Sequence, residues 1–137
     1  MQENSSLIVD VIVAGAGMVG ASVALGLSQA GFRVRVVEAC PISQDGAYTP
    51  SYDARSTAIS WGSVEILDQL GVWPEIVRHA TPILHVHVSE RGRFGTVQMH
   101  ARELSVPALG YVVPNEWMGQ CLLGALRTSS IELSDCS

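Results

Sequence analysis

Residues 7–38 read LIVDVIVAGAGMVGASVALGLSQAGFRVRVVE, and the fold turns on how this stretch is parsed. Leu7 to Ala14 is short, apolar and rich in Val and Ile, the pattern of a parallel strand covered on both faces. Gly15 to Gly20 break the run. From Met18 to Ala30 the spacing predicts a helix with Gly20, Ala21 and Ala24 on one side, stopped by Gly31 at the C′ position. Arg33 to Glu38 is a second strand, ending in an acid, so the whole is a right-handed βαβ unit. A hydropathy window over Leu7–Leu27, where Asp10 is the only charge, would instead suggest a signal peptide or a membrane span. The preceding MQENSS holds no basic residue, the first Arg is Arg33, and five residues of the window are Gly or Asp. A buried strand followed by a helix is the better reading.

Gly15-Ala16-Gly17-Met18-Val19-Gly20 is a G-x-G-x-x-G turn, a weak signal alone. It gains weight here because it leaves a strand, opens a helix and is followed, 18 residues past Gly20, by Glu38 at the end of the next strand. Gly15 permits the sharp turn, Gly17 lets a pyrophosphate approach the backbone, and Gly20 lets the helix pack closely on the sheet. Unpaired N–H groups and the positive end of the helix dipole then face the phosphates without help from a lysine. Glu38 would accept hydrogen bonds from the adenosine ribose hydroxyls, and its charge would repel a 2′-phosphate, which argues against NADP in this site. The candidate cofactor-binding residues of this unit are Gly15, Ala16, Gly17, Met18, Val19, Gly20, Glu38 and Ala39. The fingerprint by itself does not choose between FAD and NAD.

Composition narrows the field. The 137 residues allow one domain, and 47% apolar against 15% charged residues excludes a disordered chain. Thirteen acids against eight bases give a net charge of −5, unlike a phosphate-tracking nucleic-acid binder. All the bases are Arg, so a Walker-type loop and lysine-based covalent chemistry are excluded. Cys40, Cys121 and Cys136 are odd in number and widely spaced, which points to a reducing cytoplasm and away from a disulfide framework or a cysteine zinc site.

Beyond Glu38, a polar, turn-prone stretch runs from Ala39 to Arg55, and helical spacing predicts a helix over Thr57–Leu70 stopped by Gly71. Trp73-Pro74 opens a short helical turn. Ile83 to Ser89 and Phe94 to His100 alternate like strands of a hairpin whose loop is Glu90–Arg93. Tyr111 to Val113 is extended, and Asn115 would cap a helix to about Arg127 that turns Met118, Leu122, Leu123 and Leu126 inward. A further strand starts at Ile131. A typical NAD dehydrogenase continues at once with a helix and a third parallel strand. The irregular stretch and antiparallel ribbon inserted here fit a flavoprotein with an interleaved substrate domain. A two-stranded ribbon and so small a parallel sheet suggest the amino-terminal part of something longer.

The segments GAGMVGASVALGL and VVEA, then YDARSTAIS, ILDQLGVW, HVHVSERGRFG and NEWMGQCLLGAL, resemble the flavin-dependent aromatic hydroxylases of ubiquinone biosynthesis, over nearly the whole chain from Leu7. The resemblance implies an α/β fold like that of para-hydroxybenzoate hydroxylase: a Rossmann-like FAD-binding parallel sheet with an antiparallel β-ribbon from an interleaved substrate domain, here truncated. It implies FAD as cofactor, NAD(P)H as reductant, and transfer of one oxygen atom of O2, the distal oxygen of a flavin C4a-hydroperoxide, to a prenylated phenol. It places Arg55, of the Asp53-Ala54-Arg55 match, by the FAD phosphates or ribityl, and Gln120 on the flavin side. It also implies a cytoplasmic location with peripheral contact at the inner membrane or with a ubiquinone-pathway complex. The family's G-D and D-G motifs lie further along a much longer chain than these 137 residues, so the chain is expected not to hydroxylate by itself.

Plainer readings stand beside these. His85 and His87 share a strand face, but no acid or Cys at ligand spacing joins them; they read as exposed, no metal is expected, and Leu84, Val86 and Val88 would form the buried face. Arg91 and Arg93 at a loop tip read as a solvated turn, with docking to a membrane or partner as the sharper alternative. Trp61, Trp73 and Trp117 read as packing and Cys121 as a small buried residue. No catalytic side chain is identified, since the isoalloxazine does the hard step in such chemistry. Two rivals remain open: an NAD-dependent dehydrogenase or other FAD oxidoreductase, and a non-enzymatic dinucleotide-binding module.

Overall fold

Residues 8–42, 55–92 and 94–135 are described by the computed structural model. They form two compact units. The first draws on both ends of the chain, Met1–Tyr52 and Met118–Ser137, and the second is the intervening Asp53–Trp117. Asp53, Arg93 and Cys136, singled out above, lie outside the described residues.

In the first unit, β1 (Val11–Ala14), α1 (Met18–Gln29) and β2 (Val34–Glu38) make the expected βαβ unit. β1 and β2 pair in parallel, Val11 beside Val34 through Ala14 beside Val37. The third strand, β8 (Glu132–Asp135), pairs in parallel with the far side of β2, giving the order β1-β2-β8. Val34 and Val36 are buried on the face that carries Val13, toward α1, whose Ala21 and Ala24 are fully buried. Small residues there let helix and sheet approach closely. Gly31, at φ +92°, ends the helix in the left-handed conformation that favours glycine.

Two expectations for this unit fail. Leu7 lies outside the described residues, and among those described the strand begins at Val11, after Ile8 to Asp10, where the Asp10 carboxylate takes the Arg33 backbone N–H at 2.8 Å and forks onto the Arg33 guanidinium. Nor is the strand covered on both faces. On the side away from α1, Ile12 is 62% exposed and Val37 is exposed beside it, and an Arg35–Glu132 ion pair at 2.6 Å ties β2 to β8.

The second unit is antiparallel. β3 (Ser56–Ser60) and β4 (Thr81–Ile83) flank β7 (Gly110–Pro114), while β5 (His85–Ser89) and β6 (Thr96–His100) form a separate ribbon. The first four residues of the predicted helix over Thr57–Leu70 are therefore strand. Ser56 to Ser60 pair with Pro114 to Gly110, and α2 (Trp61–Gln69) starts only where the Ser60 hydroxyl accepts the Ser63 N–H. The spacing of Ala58, Trp61 and Val64 runs across that junction and imitates one continuous helix. Gly71 stops α2 as expected, and α3 (Trp73–Ile76) is the short turn predicted at Trp73-Pro74.

The strand expected over Ile83–Ser89 is two strands. Ile83 O accepts from Leu109 N at 2.8 Å and Leu84 O accepts from Ala101 N at 2.9 Å, so the chain changes partner between these residues. The hairpin ladder closes at Ser89 and Thr96, which leaves Glu90 to Gly95 as the loop. Its apolar side is not buried either: Leu84, Val88, Val97 and Met99 are all exposed. The core of this unit is Val64, Leu67, Val72, Ile76, Ala108 and Val113. Trp73 packs edge-on against Tyr111 at 4.9 Å, and Trp117 tilts against His79 at 4.3 Å.

α4 (Asn115–Thr128) leads from the second unit into the first. Met118, Leu122, Leu123 and Leu126 are buried along it, as its periodicity predicts. Each such side chain removed from water contributes roughly 1.5–3 kcal/mol.

Candidate nucleotide-binding site

At the carboxyl end of β1 the chain turns sharply. Gly15 sits at φ +96°, and its N–H donates to Val37 O at 2.7 Å, so the turn is held to the neighbouring strand. Gly17 is the N-cap of α1 in extended backbone, and glycine supplies no side-chain oxygen to the first-turn N–H groups. The first turn holds no acid, and Val19 within it is 79% exposed. The helix therefore presents its positive end bare and toward solvent. Gly20 is fixed by space: a Cβ there would lie 2.0 Å from Gly15 O and 3.1 Å from Gly15 C. Only glycine lets the helix start this close to the turn.

Glu38 completes the arrangement. It is buried at the end of β2, with Oε2 accepting the Ala16 N–H at 2.6 Å and Oε1 accepting the Cys40 N–H at 3.1 Å. The Ala16 bond first, then the Cys40 bond, hold its carboxyl below the ordinary 4.5, against the upward push of burial. The group is thus a fixed negative charge at neutral pH. A carboxylate has about four acceptor sites. The Ala16 and Cys40 N–H groups use two, the Ala39 N–H adds a weaker third interaction, and the remaining capacity can receive hydroxyl protons.

The structure thus brings Gly15, Ala16, Gly17, Met18, Val19, Gly20, Glu38 and Ala39 together at one end of one sheet. Ala39 lies in the bend immediately after Glu38, and its N–H adds to the stabilisation of the carboxylate. Gln120 is half-buried on the part of α4 that belongs to the same unit. Arg55 belongs to the second unit, where its carbonyl accepts the Asn115 N–H at 3.0 Å. Sequence reasoning missed the Ala16–Glu38 bond: an acid at the end of a second strand does not reveal that it also clamps the glycine turn.

His85 and His87 are exposed as expected, with His85 and His100 stacked at 5.9 Å across the ribbon. Among the described residues no group of three or more His, Cys, Asp or Glu could hold a metal ion, and no helix is long and apolar enough to cross a membrane.

The family described as FAD binding domain matches residues 8–133. A 3-demethoxyubiquinol 3-hydroxylase of Escherichia coli K12 is 37% identical over 122 residues, covering 86% of this chain and 30% of that protein. The ubiquinone hydroxylase UbiL of Rhodospirillum rubrum is 29% identical, covering 87% of this chain and 27% of the relative. The chain thus spans under a third of the length of these relatives. Among solved structures, pqsL of Pseudomonas aeruginosa, described as a probable FAD-dependent monooxygenase, superposes with a TM-score of 0.65 at 21% identity. That match covers 93% of this chain and 32% of that one, and it establishes the fold: a parallel nucleotide-binding sheet with antiparallel strands inserted.

Proposed function

The chain belongs to the FAD binding domain family, and from that premise we propose that Gly15–Gly20 and Glu38 hold the pyrophosphate and adenosine ribose of FAD in a ubiquinone-pathway aromatic monooxygenase. The observation that carries this reading is the paired geometry of a bare helix start, packed so that only Gly20 fits, and a charged Glu38 clamped onto the same turn. The first favours an anion and the second a sugar diol, which is the charge pattern of an adenosine dinucleotide with a free 2′-hydroxyl. FAD, when bound and reduced by NAD(P)H, supplies the chemistry that activates O2 for hydroxylation of an electron-rich ring. The residues of this chain bind and orient: the α1 N–H groups take the phosphates, and Glu38 fixes the ribose. Arg55 is proposed to lie by the phosphates or ribityl, and Gln120 toward the flavin.

The substrate is proposed to be a prenylated phenol, supported by relatives named as ubiquinol and ubiquinone hydroxylases. The quoted residues resemble 2-octaprenyl-6-methoxyphenol hydroxylase, while the E. coli relative is named as a 3-hydroxylase, so the reading is made at the level of the pathway. A cytoplasmic location is supported by the odd number and wide spacing of Cys40, Cys121 and Cys136, which do not suit a disulfide framework. Peripheral membrane contact is supported by Phe94, which is fully exposed in the ribbon loop near Arg91. Co-sedimentation with anionic vesicles that survives Phe94→Ala unchanged would remove that support.

Titration of the chain with FAD, ADP, NAD, NADP and FMN tests the central reading. FAD and ADP are expected to compete for one site, with NADP and FMN far weaker. Binding of NAD in preference to FAD would instead identify the dehydrogenase rival.

A further inference from the structure

We propose that Asp135 is a positioning residue for the adenosine end of this site, acting through the backbone of residues 40–42, a role that rests on the FAD reading for its ligand. Glu38 and Asp135 are register partners at the carboxyl ends of adjacent parallel strands, so their side chains leave the same face of the sheet. Each carboxylate takes an N–H from the segment that follows β2: Cys40 N donates to Glu38 Oε1 at 3.1 Å, and Ile42 N donates to Asp135 Oδ2 at 2.8 Å. The chain leaving β2 is thereby tied twice within three residues, once to the strand it has left and once to the next strand over.

The second tie matters for the first. Cys40 N–H is one of the two bonds that keep Glu38 oriented, and it lies in a bend with no helix or strand of its own. With Ile42 held on β8, that bend has both ends fixed. With Ile42 released, the bend loses its tie to β8, and Cys40 N–H leaves Glu38 Oε1 more often. Glu38 then keeps the Ala16 bond and the weaker Ala39 interaction and rotates more freely about them, so the acceptor sites meant for a diol are less well pre-aimed. Two neighbouring carboxylates would also repel. Separate backbone donors hold the two carboxylates in place at the edge where nucleotide sites form in such sheets.

The experiment compares Asp135→Ala, Asp135→Asn and Glu132→Gln in the 137-residue chain. Asn keeps an acceptor oxygen for Ile42 N–H. Glu132 lies on the same strand but pairs with Arg35, and its side chain leaves the other face, so it controls for a general loss of β8. Readouts are affinity for ADP and FAD by calorimetry and amide exchange at Cys40 and Ile42 by NMR. Asp135→Ala is expected to weaken ADP and FAD by the same factor, about fivefold, the worth of one net hydrogen bond, and to speed Ile42 and Cys40 exchange together. Asp135→Asn is expected to restore both. Unchanged affinity and exchange in Asp135→Ala would overturn the role, as would an equal affinity loss in Glu132→Gln or no rescue by Asn. A wild-type chain that binds neither ADP nor FAD would overturn the FAD reading itself and this role with it, whereas normal wild-type binding that ignores Asp135 would overturn this role alone.

Discussion

Gly20→Ala is the sharpest test of the cradle, because the space around that position is fixed by backbone and not by side chains. The added Cβ would stand 2.0 Å from Gly15 O. An ordinary carbon–oxygen contact needs about 3.3 Å, so helix and turn must part by roughly 1 Å. The Gly15 carbonyl cannot swing away freely, since the turn is held by Gly15 N on Val37 O at 2.7 Å and Ala16 N on Glu38 at 2.6 Å. Loss of one neutral bond and one to a charged acceptor costs about 1 and about 1.5–3 kcal/mol. Alanine returns about 1 kcal/mol through its helix propensity. The net expectation is a loss of about 1.5–3 kcal/mol, and at roughly 3–4 °C per kcal/mol for a chain of this size a fall in Tm of about 5–12 °C. FAD affinity should drop at least about tenfold, because the same 1 Å shift misplaces the N–H groups. Gly124→Ala is the control: Gly124 is exposed within α4 with nothing within 4 Å of its would-be Cβ, and the change should stabilise by about 0.5–1 kcal/mol. A Gly20→Ala protein that melts with the wild type and binds FAD within twofold would refute the close-packed cradle.

Glu38→Gln should weaken FAD and ADP by about tenfold or more, since the amide turns one acceptor into a donor facing either Ala16 or Cys40 N–H, a mismatch of about 1–3 kcal/mol. Because the Glu38 carboxyl is held below its ordinary 4.5, its stabilisation is fully present above that pH and is lost as pH falls through the folded value. Wild type should therefore show a steeper acid limb of Tm below pH 4.5 than Glu38→Gln, and equal slopes would contradict the clamp. The Asp10 carboxyl is pushed down to about 2, first by the Arg33 side chain and then by the Arg33 backbone N–H. Arg33→Ala should raise its NMR titration midpoint only part of the way to 3.8, because the backbone donor remains. A midpoint that does not move would show that the side-chain fork contributes nothing.

What could be read from sequence, and what could not, divides by the range of the interactions involved. The βαβ unit was legible because its signals are local: a Val/Ile run, a glycine turn, small residues at helical spacing and Gly31 at the stop. The inward stripe of α4 was legible for the same reason. Ser56–Ser60 was not, because its strand character comes from pairing with Gly110–Pro114, some fifty residues away, while its own spacing mimics the helix that follows. The break at Leu84 was equally hidden, since successive carbonyls there turn to different partners, Leu109 and Ala101. In the site, residue types were readable but their mutual bonds were not. Nothing local distinguishes a Glu38 that waits for a ligand from one that already grips Ala16, or reveals that Ile42 meets Asp135 93 residues later.

The double use of Glu38 has a consequence for how the site can work. A carboxylate left free at a sheet end would rotate among several rotamers and would have to be ordered when a ligand arrives, at a cost of about 0.5–1.5 kcal/mol. Binding to Ala16 and Cys40 meets that cost during folding, and the same two bonds keep the group charged despite its burial. The negative charge is thereby fixed beside, but not on, the positive start of α1, whose first turn carries no acid of its own. If Glu38 instead capped that helix directly, it would neutralise the end meant for phosphate. By spending its hydrogen bonds on Ala16 and Cys40, the chain keeps two opposite charges apart and rigid, and under the proposed FAD reading the ligand meets them with an anion and a diol at a set separation.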